Sequence, residues 1–226
     1  FKSSGMMLTC RKDMGVNSTD DLKGKTLGVW FYGNEYPFLS WMSRLGLATD
    51  GSADGVTVLK QGWGVEPLTE GQAACVSTMS YNEYWVVRDA GYSPEQLTVF
   101  KYQAEGAATL EDGLYVLEKN LGDSNFQDKM VRFVRASMKG WKYAEANPKE
   151  AASIILDNDD AGVQTEKHQV RMMGEIAKLT AGSNGALDPA DYQRTVKVLM
   201  SGASDPVITK EPSGAWTHDI TNAALN

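Results

Sequence analysis

The first hundred residues alternate short apolar runs with turn residues, and the last hundred repeat apolar positions at helical spacing. Met6–Met7–Leu8–Thr9–Cys10 reads as a strand. Asn17–Leu22 reads as one helical turn, with Ser18 as cap, Asp21 three residues on, and Gly24 ending it. Lys25–Trp30 is the next predicted strand, and Tyr32–Gly33–Asn34 signals a turn. Asn34 then caps a helix. Pro37 sits in its first turn, Phe38, Leu39, Trp41, Met42 and Leu45 recur at helical spacing, and Gly46 follows its end. The unit recurs in kind as strand Val56–Leu59, loop Gln61–Gly64 and a short helix near Glu66–Leu68. Strand Ala73–Met79 follows, then a capping box from Ser80 to Glu83 and a helix ending at Gly91. Leu97–Tyr102 is a further strand. This alternation predicts an α/β fold with a mostly parallel sheet covered on both faces.

The pattern changes after Gly113–Leu117, which reads as a last strand. Phe126, Met130, Phe133, Val134, Met138 and Trp141 form a helical stripe, with Arg132, Arg135 and Lys139 off it. Asn147–Pro148 opens a second helix, about Thr165 to Thr180 forms a third, and Asp188–Pro189 opens a fourth that Gly202 closes. Two strands thus flank the α/β block, Met6–Arg11 before it and Leu114–Leu117 after it. They predict a hinge between two lobes, the chain crossing into one and back.

Composition narrows the function classes. A length of 226 residues is one large domain or two small ones at about 150 residues per domain. A net charge of −7 argues against a nucleic-acid partner. Two Cys and two His exclude a disulfide framework, a zinc finger or an iron–sulfur site made by this chain alone. Cys10 and Cys75, both in predicted strands, read as small buried hydrophobes rather than as a reactive thiol or a disulfide. His168 and His218 neighbour no obvious nucleophile, and no glycine-rich dinucleotide loop, phosphate loop or zinc-protease motif occurs. The chain opens at Phe1 rather than Met and runs at once into a strand, the start expected of a processed or truncated protein.

The candidate chemistry lies in the strand-to-helix turns, because open α/β sheets bind ligands at the carboxyl ends of their strands. Trp30, Phe31, Tyr32, Gly33, Asn34, Glu35 and Tyr36 place four aromatics around a helix N-terminus. Amide donors near Gly33 would hold an anionic or carbonyl oxygen, and the rings would stack a planar ligand. The competing reading is that Trp30 and Phe31 finish the core while Tyr32 and Tyr36 are surface. Ser80 and Glu83 read as helix caps, leaving Tyr81 and Asn82 to face a ligand. Trp63, in the Gln61–Gly64 loop, either joins the site or closes the core. Glu105, Glu111 and Asp112 read as a solvated loop rather than acid–base groups.

At these residues the sequence resembles a known family. Asp21–Leu22–Lys23–Gly24–Lys25–Thr26–Leu27–Gly28–Val29 is similar to an element of ABC-importer solute-binding proteins, of the NMT1/THI5-like branch. Gly33–Asn34–Glu35–Tyr36–Pro37, Met79–Tyr84, Leu110–Leu114 and Phe133–Trp141 carry the likeness along nearly the whole chain. That branch binds nitrate, sulfonates, taurine and thiamine-pyrimidine precursors. The resemblance implies a type II periplasmic-binding-protein fold of two α/β lobes joined by crossovers, with the ligand in the cleft. Residues 14–110 would form the second lobe. Residues 1–13 and 111–226 would supply hinge strands and the helical part of a first lobe that lacks its opening segment. Such a lobe is expected to expose apolar surface and self-associate. The implied protein is a non-enzymatic, periplasmic binder of a small planar heterocycle, working with a membrane permease and an ATPase. It carries no cofactor, metal or nucleic acid. The alternative is a thiamine-pyrimidine synthase, whose cysteine-rich iron motif does not occur in this sequence.

Overall fold

A computed structural model describes residues 1–201 and 206–225. It divides into two compact units. One comprises Ser4–Thr109 and Gln193–Glu211; the other comprises Phe1–Ser3, Leu110–Tyr192 and Pro212–Asn226.

The first unit is built on a five-stranded sheet. Its strands are β1 (Met6–Arg11), β2 (Thr26–Val29), β3 (Thr57–Lys60), β4 (Cys75–Met79) and β5 (Leu97–Lys101), in the order β3-β2-β4-β1-β5. Five of the six strands read from the sequence are present, with ends shifted by a residue or two. The expected mostly parallel sheet is instead mixed. β2 runs parallel to β3 and β4, whereas β1 runs antiparallel to β4 and β5. β1 lies between two partners and is buried from Met6 to Cys10. That explains its continuous apolar run, since both faces of a central strand meet other elements. Thr9 is the polar exception, and its hydroxyl lies 2.7 Å from that of Thr78 on β4.

Each face of the sheet carries its own core. On one, Leu8, Leu27, Val29 and Phe100 pack against Phe38, Trp41 and Met42 of helix α1 (Glu35–Arg44). On the other, Val76 and Leu97 meet Leu68 of α2 (Glu66–Thr69) and Val87 of α3 (Glu83–Asp89). Tyr102 is fully buried edge-on to Trp41, 5.7 Å between ring centroids. Its hydroxyl has no hydrogen-bond partner, and burial drives its pKa well above the usual phenol value. The nearby Ser77 hydroxyl offsets part of that penalty without meeting hydrogen-bond geometry.

Cys10 and Cys75 form a disulfide, which corrects the reading of both as simple buried hydrophobes. They stand directly opposite each other on β1 and β4, so antiparallel pairing brings their side chains together on one face. Nothing in their separation of 65 residues announces this.

Local signals hold well. The Ser18–Asp21 capping box forms over a 3-10 turn at Thr19–Leu22. The Asp21 carboxylate accepts the Asn17 and Ser18 N–H groups at 2.9 and 2.8 Å, and these bonds lower its pKa. Gly46 follows α1, as expected.

The second unit is helical, with α4 (Ser124–Ala146), α5 (Pro148–Asp157), α6 (Glu166–Thr180) and α8 (Asp219–Leu225); α7 (Pro189–Met200) begins in it and ends in the sheet unit. Pro148 sits at the first position of α5, and Thr165 caps α6 by accepting the His168 N–H. Gly202 lies outside the described residues. Ala151, Ala152 and Met173 form a small α5–α6 core, and Arg135 donates to the Ala223 and Ala224 carbonyls of α8. His218 is structural, its Nε2 lying 2.8 Å from the Leu187 carbonyl beside Trp216.

One expectation fails here. Gly113–Leu117 is not a strand among the described residues, and Tyr115 is 86% exposed. An apolar run becomes a strand only when a neighbour completes its backbone hydrogen bonds. The α4 stripe is present and only partly covered. Val134 is buried, whereas Phe133 is 54% exposed. Phe126, Met130 and Phe133 line, with Leu114–Leu117, a shallow groove of about 410 Å³.

Candidate functional site

The register sets one edge of the sheet. Val29 pairs with Lys60, Met79 with Met6, and Lys101 with Met7. The carboxyl ends of β2, β3, β4 and β5 therefore emerge together, beside the amino end of β1. The three turns singled out in the sequence leave from this edge.

The turn after β2 is held from both sides. The Trp30 indole donates to the Gly62 carbonyl at 2.9 Å, tying it to the loop after β3. The Trp30 N–H donates to the Ser77 hydroxyl of β4 at 3.4 Å. Tyr32 adopts φ 63°, a left-handed conformation rare for a bulky residue, and Gly33 follows at φ 108°. Tyr32 is 92% exposed. The Gly33 amide, expected to be open to a ligand, instead donates to the Glu35 carboxylate at 2.8 Å. Asn34 precedes α1, but its side chain donates to the Phe31 carbonyl rather than capping the helix. Phe31 and Tyr36 are half-buried, so the aromatic turn divides between core and surface.

After β3, Gln61 is buried and stitches the edge together. Its Oε1 accepts the Ser77 N–H at 2.8 Å, and its Nε2 donates to the Ser77 and Gly64 carbonyls at 3.0 and 3.1 Å. Gly28 makes room for this contact. A Cβ there would stand 2.9 Å from Val76 Cγ1 and 3.3 Å from Gln61 Oε1. Trp63 does not close the core; it is 97% exposed. Lys60, absent from the sequence-based site, places its Nζ 4.7 Å from the Tyr32 ring centroid and 5.4 Å from that of Phe31.

After β4, the predicted capping box is corrected. α3 begins at Glu83 with Asn82 as its cap residue, so Ser80 stands too early to cap it. The Glu83 carboxylate does reach back, accepting the Met79 N–H at 2.9 Å and the Asn82 side-chain amide at 2.8 Å. Tyr81 and Asn82 are half-buried at this end of β4.

The structure thus joins Trp30, Phe31, Tyr32 and the Gln61–Trp63 loop through Gln61, Ser77 and Lys60. Tyr81 and Asn82 share the edge with them. Gln61 and Ser77 were missed because neither is chemically conspicuous. Lys60 was missed because a single charge at a strand end is an ordinary surface feature. A polar Gln directly after a predicted strand, next to a Gly, is the signal that would have found the first.

Among the described residues no helix is long and apolar enough to cross a membrane. No curated protein sequence matches the chain. A solved protein of Bordetella bronchiseptica is similar over 99% of this chain and 71% of its own, at 18% identity and a TM-score of 0.60. A chain reported with glutathione import in Gram-positive bacteria via GshT and the cystine ABC importer TcyBC of Streptococcus mutans is similar over 44% of this chain. Here the chain spans 41% of that protein, at 14% identity and a TM-score of 0.33. The expected α/β architecture of the type II periplasmic-binding-protein fold is present in the mixed sheet and its flanking helices. A family model described as NMT1/THI5 like matches residues 1–151, more than half of the sequence, and the chain belongs to the NMT1/THI5-like family.

Proposed function

We propose that this chain is the solute-binding component of an ABC importer, with the carboxyl edge of its sheet forming one wall of the solute site. The observation that carries the reading is the pair of large aromatics left in solvent there, Tyr32 and Trp63, on turns anchored beneath by Gln61 and Ser77. Folding alone does not call for two such rings on a braced edge; a planar solute stacked against them does. Family membership and the ABC-importer motifs support the same role. A planar heterocycle such as a thiamine-precursor pyrimidine fits the aromatic wall better than a bare sulfonate or nitrate. The Cys10–Cys75 disulfide favours an oxidising compartment, which agrees with a periplasmic binder delivering solute to a permease and its ATPase.

The test is a thermal-shift screen of the chain with pyrimidines, sulfonates, taurine and nitrate, followed by tryptophan-fluorescence titration. A specific solute at about a hundredfold excess over Kd stabilises the protein by about 2.7 kcal/mol. A saturable shift with a pyrimidine supports the reading. Shifts confined to nitrate or sulfonates redirect it to an oxyanion binder, and bound iron with a vitamin B6 cofactor redirects it to the synthase.

A further inference from the structure

We propose that Lys60 sets the specificity of this site, selecting planar solutes that carry an anionic group such as a carboxylate. The inference rests on reading the carboxyl edge as the solute wall. Lys60 ends β3 beside Val29, where the aromatic turn departs from β2. Its ammonium lies over two ring faces, Tyr32 at 4.7 Å and Phe31 at 5.4 Å, and 3.5 Å from the Tyr32 hydroxyl. No carboxylate forms an ion pair with it among the described residues. Of the carboxylates at these turns, Glu35 accepts the Gly33 N–H, Glu83 accepts the Met79 N–H and the Asn82 amide, and Glu66 lies against Gly64 without an ion pair to Lys60. Lys60 therefore has its ammonium outside any ion pair among the described residues, in a chain whose net charge is −7.

The neighbouring backbone fits this placement. Tyr32 holds its left-handed φ of 63° while almost wholly exposed, so burial of its ring does not enforce the conformation. The conformation sets the ring beside the ammonium. A flat solute stacked against Tyr32 would bring an in-plane carboxylate to the ammonium, whose N–H donors the ring faces do not saturate. A neutral solute of the same shape would gain the stacking alone.

The test uses the 226-residue chain and two probes, a methylated aminopyrimidine carboxylate and the same ring bearing a hydroxymethyl group, titrated by tryptophan fluorescence. Wild type is expected to bind the carboxylate about tenfold more tightly, as a charge-assisted hydrogen bond supplies. Raising the salt should narrow that preference. Lys60→Gln should bring the two affinities to within about twofold, the residue of weak surface electrostatics. Lys60→Arg should retain the preference. Binding of both probes with a ratio that Lys60→Gln does not change overturns the role of Lys60 and leaves the solute site standing. Failure of both probes to bind wild type overturns the heterocycle site and this inference with it.

Discussion

Removing the Cys10–Cys75 disulfide is the most informative perturbation of the fold. The bond links β1 to β4 across 65 residues, a span that holds β2, β3 and helices α1 and α2. Closing a loop of that length restricts the unfolded chain by about 4 kcal/mol in the chain-entropy account. Both sulfur atoms are buried in the core with Leu8 and Leu27, so each Cys→Ala change also loses packing. The cleaner comparison keeps the sequence constant: wild type refolded with reductant against wild type refolded oxidised, with Cys10→Ala/Cys75→Ala as a check. At roughly 2–4 °C per kcal/mol for a chain of this size, the thermal midpoint should fall by about 8–16 °C on reduction. Circular dichroism follows the transition, and thiol titration in denaturant counts free cysteines. Two titratable thiols in oxidised protein, or a midpoint unchanged by reduction, would refute the pairing and with it the argument for an oxidising compartment.

Other outcomes follow from single contacts. Gln61→Leu should destabilise the sheet unit by about 2–3 kcal/mol in urea, because the buried Ser77 N–H loses its acceptor. A loss near zero would show that the edge is not braced as described. Tyr32→Ala with Trp63→Ala should weaken solute binding about tenfold while the thermal midpoint moves by about 1 °C or less, since neither ring is buried. A large loss of stability would return both to a structural role. Asp21 has a lowered pKa, so its contribution is present above the unfolded value near 3.8 and is lost as pH falls through the folded one. Asp21→Asn should therefore lower stability at neutral pH and flatten the acid limb below about pH 4, read by denaturation at several pH values. The apolar groove lined by Leu114–Leu117 and Phe133 should drive concentration-dependent self-association in sedimentation velocity. A monomer at all concentrations, or unchanged association in Phe133→Lys, would count against that surface.

The sequence by itself determined the order of elements and their local chemistry. The Ser18–Asp21 box, Pro148 at the start of α5 and five of the six predicted strands appear where the pattern put them. These features depend on residues within about four positions of one another, and such couplings survive in a linear reading. It also located the aromatic turns, though not which rings would be exposed. The tertiary structure alone decided the rest. β1 lies antiparallel between β4 and β5, and only that register sets Cys10 against Cys75. Gln61 reaches Ser77 because β3 and β4 both flank β2, sixteen residues apart in sequence. The Gly113–Leu117 run forms no strand among the described residues, although its pattern is that of a strand, because no other strand lies alongside to complete a ladder. Tyr32 and Trp63 came out exposed, and Lys60 came to lie over Phe31 and Tyr32, for the same reason. Strand order decides which turns share an edge, and that order is settled by burial and pairing between segments distant in the chain.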